Sequence, residues 1–285
     1  MNTPVKIIEC PRDAMQGLER FIPTEIKAAY INQLLKVGFD TIDFGSFVSA
    51  KAIPQMKDTM QVLDRLQVPV GSSRLLAIVA NARGAEEASR YESITYLGFP
   101  LSISETFQQR NTNKSIPEAL NTLEEIRNIC DKKGKQLVTY ISMGFGNPYG
   151  DPYEVSLVTQ FVDIIIALGA DVISLADTIG IAESAAIASL FTSVSRQFPD
   201  QEVGVHLHST AQTALEKIQA AYRGGCRRFD GAIRGFGGCP MAKDDLVGNI
   251  ATETILSFLE KEKIETGLNK QAFSHALAAA DEVFK

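Results

Sequence analysis

Residues Ile165–Thr178 read IIALGADVISLADT: an apolar helical run, a glycine at position 169, then a short β-branched strand ending in Asp177. A glycine just past a helix adopts the left-handed conformation that other residues resist, so it marks where helix gives way to strand. The unit recurs at Leu34–Phe47 (LLKVGFDTIDFGSF, around Gly38) and at Tyr222–Gly235 (YRGGCRRFDGAIRG, around Gly225). Four and five residues after each glycine come Ile42-Asp43, Ile173-Ser174 and Phe229-Asp230. Working outward, eight strands are expected near 5–12, 40–46, 73–80, 93–99, 136–143, 171–177, 202–208 and 227–233. Helical patterns such as Ser115–Gly134 (SIPEALNTLEEIRNICDKKG) separate them. Strands alternating with helices at this spacing make parallel βαβ units, and eight of them predict an α/β fold, a (β/α)8 TIM barrel. An open doubly wound sheet would call for a glycine-rich phosphate loop after the first strand, and ECPRDAMQG (residues 9–17) is not GxGxxG. The last periodic run, about 269–284, is expected to be an extra C-terminal helix, with 1–285 a single domain.

Composition narrows the function classes. A net charge of -6 argues against nucleic-acid binding, which needs a basic face to displace counterions. No apolar run reaches membrane length, since VDIIIALG (162–169) stops at a glycine. The first strand-like run begins by Val5, so no leader is expected, and the terminal EVFK matches no retention or peroxisomal signal. Cys10, Cys130, Cys226 and Cys239 are far apart without a CxxC, which fits free thiols in a reducing cytoplasm.

Barrel enzymes carry their chemistry at the C-terminal ends of the strands, and polar residues gather there. The first strand runs into Pro11-Arg12-Asp13, with Gln16 just beyond; the second carries Asp43 and Ser46; the sixth ends at Asp177. The seventh ends in VGVHLHST (203–210), which holds two of the chain's three histidines. Residues two apart on a strand face the same way, so His206 and His208 are expected to present both imidazoles to one side. With Asp13 they can supply three metal ligands; the alternative is a pair satisfied by backbone or water. Two imidazoles, a carboxylate and an amide oxygen suit octahedral Mg2+ or Mn2+ better than tetrahedral zinc. Asn249 can supply that amide, or can be a plain helix N-cap. Arg12, at the end of a strand, suits stabilisation of an oxyanion. Cys239, in the glycine-rich run Arg234–Asp245 (RGFGGCPMAKDD), is either a reactive thiol in a closing lid or an incidental surface residue. His275 stands alone in the last helix and carries no assignment.

Six segments in order make the chain resemble the 3-hydroxy-3-methylglutaryl-CoA lyases, within the superfamily of metal-dependent barrel lyases and the isopropylmalate and homocitrate synthases. They are PRDAMQG (11–17), IDFGSFVSAKAIPQM (42–56), SETFQQRNTNKSI (104–116), ISLADTIG (173–180), GFGGCPMA (235–242) and GNIATE (248–253). The resemblance implies metal ligands at Asp13, His206, His208 and Asn249, and a catalytic arginine at Arg12. It implies proton-transfer or catalytic roles for His206, Cys239, Asp177 and Asp43, and substrate contacts at Gln16, Ser46, Asn111 and Asn113. Lys51, Arg110, Asn111 and Lys114 are candidate coenzyme A contacts. The implied reaction is a divalent-metal-assisted retro-Claisen cleavage of an acyl-CoA substrate by a cytoplasmic enzyme, expected to be a homodimer with no nucleic-acid or membrane partner.

The sequence departs from the family at the acyl pocket and lid. HxHDTYGQ is here HLHSTAQT, with Ser209, Ala211 and Gln212; a Cys-Pro-Tyr becomes Asn147-Pro148-Tyr149; Met241 replaces an aromatic. Ala14 stands for a glycine, and Asp43 for a glutamate with one more methylene of reach. These changes leave open a different 3-hydroxyacyl-CoA. A condensing synthase of the superfamily is the other alternative, although such enzymes add domains beyond the barrel.

Overall fold

The computed structural model describes residues 4–69, 71, 73–238 and 247–285. Eight parallel strands form a closed barrel in chain order: β1 Lys6–Glu9, β2 Thr41–Ser46, β3 Arg74–Ile78, β4 Ile94–Ser102, β5 Gln136–Ser142, β6 Val172–Asp177, β7 Glu202–Leu207 and β8 Arg228–Gly231. Closure is made by β1 pairing with both β2 and β8, with Lys6 opposite Arg228 and Glu9 opposite Gly231. The expected strands are all present, and the fold is the (β/α)8 barrel.

Helices α1 Pro11–Gln16, α2 Thr24–Leu35, α3 Thr59–Leu63, α4 Ala82–Ala88, α5 Glu105–Thr112 and α6 Ile116–Lys133 accompany the first half. In the second half come α7 Val155–Ala167, α8 Ser184–Gln197, α9 Ala214–Arg223, α10 Thr252–Lys261 and α11 Lys270–Val283. Local chemistry sets their ends. α6 begins with a capping box, Ser115 and Glu118 each satisfying the other's backbone N–H, and ends at the left-handed Gly134. Gly38, Gly169 and Gly225 have φ of +88°, +84° and +108°, as the recurring unit requires. The extra helix α11 packs on α2, with Phe284 edge-on to Tyr30.

One boundary differs from expectation. The first strand stops at Glu9, and Arg12 and Asp13 lie in the first turn of α1. Pro11 explains this, because a proline lacks the N–H that a continuing ladder needs yet suits the first helical position.

The core has two parts. A large apolar layer fills the space between sheet and helices. Inside the barrel a smaller cluster, Leu76, Ile78, Tyr96, Val138, Tyr140 and Val172, comes from β3 to β6. Strands β2, β7 and β8 instead contribute buried Asp43, His206, Arg228 and Asp230. One half of the interior is therefore oily and the other polar.

Candidate metal and catalytic site

Both halves line a cavity at the C-terminal mouth, with Arg12, Asp13, Gln16, His206 and His208 on the polar side and Ile78 and Tyr140 from the apolar cluster. His206 and His208 do face one way: their Nε2 atoms lie 3.2 Å apart. Asp13 Oδ2 is 3.9 Å from His208 Nε2, and the ligating atoms of Asp13, His206 and His208 all fall within 4.8 Å of one another. Two imidazole lone pairs at this separation repel unless a proton or a cation lies between them. Adjacent ligands of an octahedral divalent ion, each about 2.1 Å from it, stand about 3 Å apart, so the spacing fits such an ion. All three residues are buried.

Asn249 reaches the cluster through the chain segment before α10. Ser209 N donates to Gly248 O (2.9 Å) and Ile250 N to Leu207 O (3.2 Å), fastening this segment to the end of β7. The Asn249 amide nitrogen donates to Asp13 Oδ2 (2.7 Å) and Phe236 O (2.9 Å), leaving its oxygen as the atom available to a ligand. The plain N-cap alternative does not hold, since the cap of α10 is Ala251.

The charges around Asp13 and His208 keep these two in ligating form. Burial pushes the Asp13 carboxyl up, but Arg12, the two imidazoles and the Asn249 amide more than offset it and hold it below its ordinary range. Burial, helped by His206, lowers His208 to about 4, so its ring is neutral near pH 7. His206 shifts the other way: burial opposes its charge, but the Asp230 hydrogen bond and the acids nearby raise it.

Arg12 is held from three sides. Its Nε and Nη2 donate to Asp43 (3.0 and 2.5 Å to Oδ2), and its Nη1 donates to Asp13 Oδ1 and Gln16 Oε1, both at 2.9 Å. Asp43 thus makes a two-pronged pair with Arg12, through Nε and Nη2. Burial raises the Asp43 carboxyl to about 6 against the opposing pull of Arg12. Gln16 Nε2 closes the ring on Asp13 Oδ1 at 2.8 Å.

Other expected residues sit differently. Asp177 is buried with both oxygens engaged: Oδ1 accepts from Ile181 N (3.0 Å), and Oδ2 from Ala182 N (3.1 Å) and Lys217 Nζ (2.7 Å). Ser46 is buried at the end of β2, its hydroxyl accepting from Val48 N (3.2 Å). Asn111 lines the cavity, whereas Asn113 is exposed and caps α5 at φ +55°, a left-handed position that suits asparagine. Lys51 and Arg110 are exposed, Arg110 lying over the Tyr149 ring, and Lys114 donates to Thr122 Oγ1. Cys239 and Met241 lie outside the described residues.

Sequence reasoning passed over two buried residues. Lys217 donates to Asp177, Gly180 O and His208 O, all within 2.9 Å, so it ties β6 to β7. A lysine on the apolar stripe Ala214, Ile218, Ala221 was a visible signal, because an inward-facing ammonium needs a buried partner. Asp230 accepts or shares a proton with His206 Nδ1 at 3.2 Å. It was noted only as part of the recurring unit.

The fold and site define a (β/α)8 barrel with a buried cluster of candidate metal ligands at its C-terminal mouth. Comparison with known proteins gives its relationship. The model of the HMGL-like family matches residues 5–279, and the chain belongs to that family. It is 34% identical over 272 residues to the hydroxymethylglutaryl-CoA lyase of Bacillus subtilis, covering 95% of this chain and 90% of that protein. It is 33% identical to the human cytoplasmic 3-hydroxy-3-methylglutaryl-CoA lyase, covering 93% of this chain and 71% of that one. Among solved structures, an HMG-CoA lyase from A. baumannii in complex with coenzyme A and 3-methylmalate superposes with a TM-score of 0.92 at 29% identity, over 99% of this chain and 93% of that chain. The described helices include none long and apolar enough to cross a membrane.

Proposed function

We propose that this protein is a lyase that cleaves 3-hydroxy-3-methylglutaryl-CoA to acetyl-CoA and acetoacetate with Mg2+ or Mn2+. The observation that carries the reading is the convergence of Asp13, His206 and His208 beside Arg12, in a chain 34% identical to a lyase of that name. Asp13, His206, His208 and the Asn249 oxygen would hold the ion. Bound there, it supplies Lewis acidity to the substrate's oxygens.

Cleavage requires the C3 hydroxyl to lose its proton as the C2–C3 bond breaks; the bonding electrons pass onto the acetyl thioester as an enolate, which a proton then quenches. Arg12 is suited to the enolate. A guanidinium has five N–H groups, and Arg12 commits one on Nε, two on Nη1 and one on Nη2 to Asp43, Asp13 and Gln16. One Nη2–H remains for an oxyanion, already oriented before substrate arrives. His206 faces the cavity with Nε2 in the ligand cluster and Nδ1 turned to Asp230, so it is a ligand with no ring nitrogen left for the hydroxyl proton, and Cys239 is the candidate acid for the enolate. Asp177 is read as a support for the loop after β6 and for Lys217, because its oxygens are occupied. Gln16 and Asn111 are the substrate contacts that line the cavity. Coenzyme A binding, a homodimeric assembly and a cytoplasmic location accompany the proposal.

The test is product analysis after incubation of the protein with 3-hydroxy-3-methylglutaryl-CoA and Mg2+. Equimolar acetyl-CoA and acetoacetate are expected. Intact substrate, alongside cleavage of another 3-hydroxyacyl-CoA, would reject this acyl group while keeping the reaction.

A further inference from the structure

Asp230 occupies the middle of a buried polar file beneath the proposed ligands. Its Oδ2 lies 3.2 Å from His206 Nδ1, while Nε2 of the same ring is the atom facing His208. Two residues earlier on β8, buried Arg228 reaches Glu202 (3.2 Å) and Asp40 (3.4 Å) with Nη1. Gly204 on β7 makes room for it: a Cβ there would stand 2.8 Å from Arg228 Cγ and 2.9 Å from its carbonyl oxygen. Tyr140 closes the other side of the His206 ring, edge-on at 5.8 Å. Asp230 Oδ1 is buried without a hydrogen-bond partner among the described residues.

Resting on the reading of His206 as a metal ligand, we propose that Asp230 is the positioning residue that fixes its tautomer. A neutral imidazole carries a single N–H, and a carboxylate can only accept, so the ring proton is held on Nδ1. The Nε2 lone pair is then left facing His208, Asp13 and the ion they would share. With the proton on Nε2 instead, that nitrogen could not ligate. A carboxylate beyond a ligating histidine also raises the donor strength of the ring and fixes its plane. The unpartnered Oδ1 supports a functional role, since a buried carboxylate with one oxygen unsatisfied costs stability that an apolar residue would not.

The test is Mn2+ affinity, measured by electron paramagnetic resonance on the full chain without substrate, for wild type, Asp230→Asn and Asp230→Leu. Removal of the acceptor in Asp230→Leu is expected to weaken Mn2+ binding about 10- to 100-fold. Asp230→Asn, which keeps an accepting oxygen, should fall between the two. Affinity within twofold of wild type in folded Asp230→Leu overturns the proposal. Should that variant not fold, the His206 tautomer decides: 15N–1H correlation spectra of the wild type at neutral pH are expected to show the proton on Nδ1, and a proton on Nε2 overturns it. Neither readout depends on which acyl-CoA is cleaved, so a failure here is distinct from failure of the substrate assignment.

Discussion

A single guanidinium shows how tightly the site is prepared. Arg12 is gripped by Asp43, Asp13 and Gln16 in the planar fork geometry that a lysine ammonium cannot reproduce. Arg12→Lys is therefore expected to lower kcat by about 10²- to 10³-fold, with a smaller change in KM, as losing a preorganised oxyanion donor does. Steady-state kinetics would check this, and a lysine variant within tenfold of wild type would contradict it. Lys217 makes a different case, being a structural ion pair rather than a reactive one. Lys217→Met leaves the Asp177 carboxylate buried and uncompensated, and should destabilise the protein by about 3–5 kcal/mol in chemical denaturation. Adding Asp177→Asn should restore part of the loss, and a second substitution that makes matters worse would contradict the pairing. At this scale the sequence was readable where spacing alone fixes direction: His206 and His208 share a face because a strand repeats every two residues. It was not readable where the chain folds back on a side chain. Nothing in ISLADTIG says that the N–H groups of Ile181 and Ala182 curl round to occupy Asp177.

Elements are joined by buried polar contacts as well as by the oily layer. Glu9 on β1 accepts from Ile233 N (2.8 Å) and Thr252 Oγ1 (2.6 Å), linking the strand to both flanks of the segment that carries Asn249. Burial, opposed by those hydrogen bonds, raises its carboxyl to about 8, from an unfolded value of 4.5. Between those two values folding takes up a proton. The contribution to stability is full below the lower value and is lost as pH rises towards the upper one. Glu9→Gln mimics the protonated acid and lacks this dependence. From pH 5 to 8 the wild type should lose stability relative to the variant, on the order of a few kcal/mol. Parallel pH profiles would contradict the assignment. Gly204→Ala offers a packing test in the same region: its methyl would meet Arg228 backbone and side chain within 3.0 Å. A loss of about 1–3 kcal/mol is expected in denaturant titrations. Element boundaries were less legible than element order. Pro11 turns the expected strand end into a helix, and Asn249 precedes the helix it was offered as capping by three residues, because the chain first pairs with β7.

The closed barrel is what assembles the site. Asp13 and Asn249, 236 residues apart in the chain, meet at 2.7 Å, because β1 and β8 pair. The eightfold alternation was legible from the recurring helix-glycine-strand unit, whereas the division of the interior into an apolar and a polar half depends on registers that no local pattern states. An ion that binds the folded cluster and not the unfolded chain must stabilise the whole molecule. Saturating Mn2+ is thus expected to raise the melting temperature of the wild type, and to leave His208→Ala unchanged. An equal rise in both would place the ion elsewhere. The most direct measurement is acetyl-CoA release from 3-hydroxy-3-methylglutaryl-CoA before chelation, after chelation and after readdition of Mg2+ or Mn2+, in wild type and His206→Ala. The account predicts turnover that chelation abolishes and either ion restores, and none in the variant. Turnover that survives chelation, or that persists in His206→Ala, would contradict it.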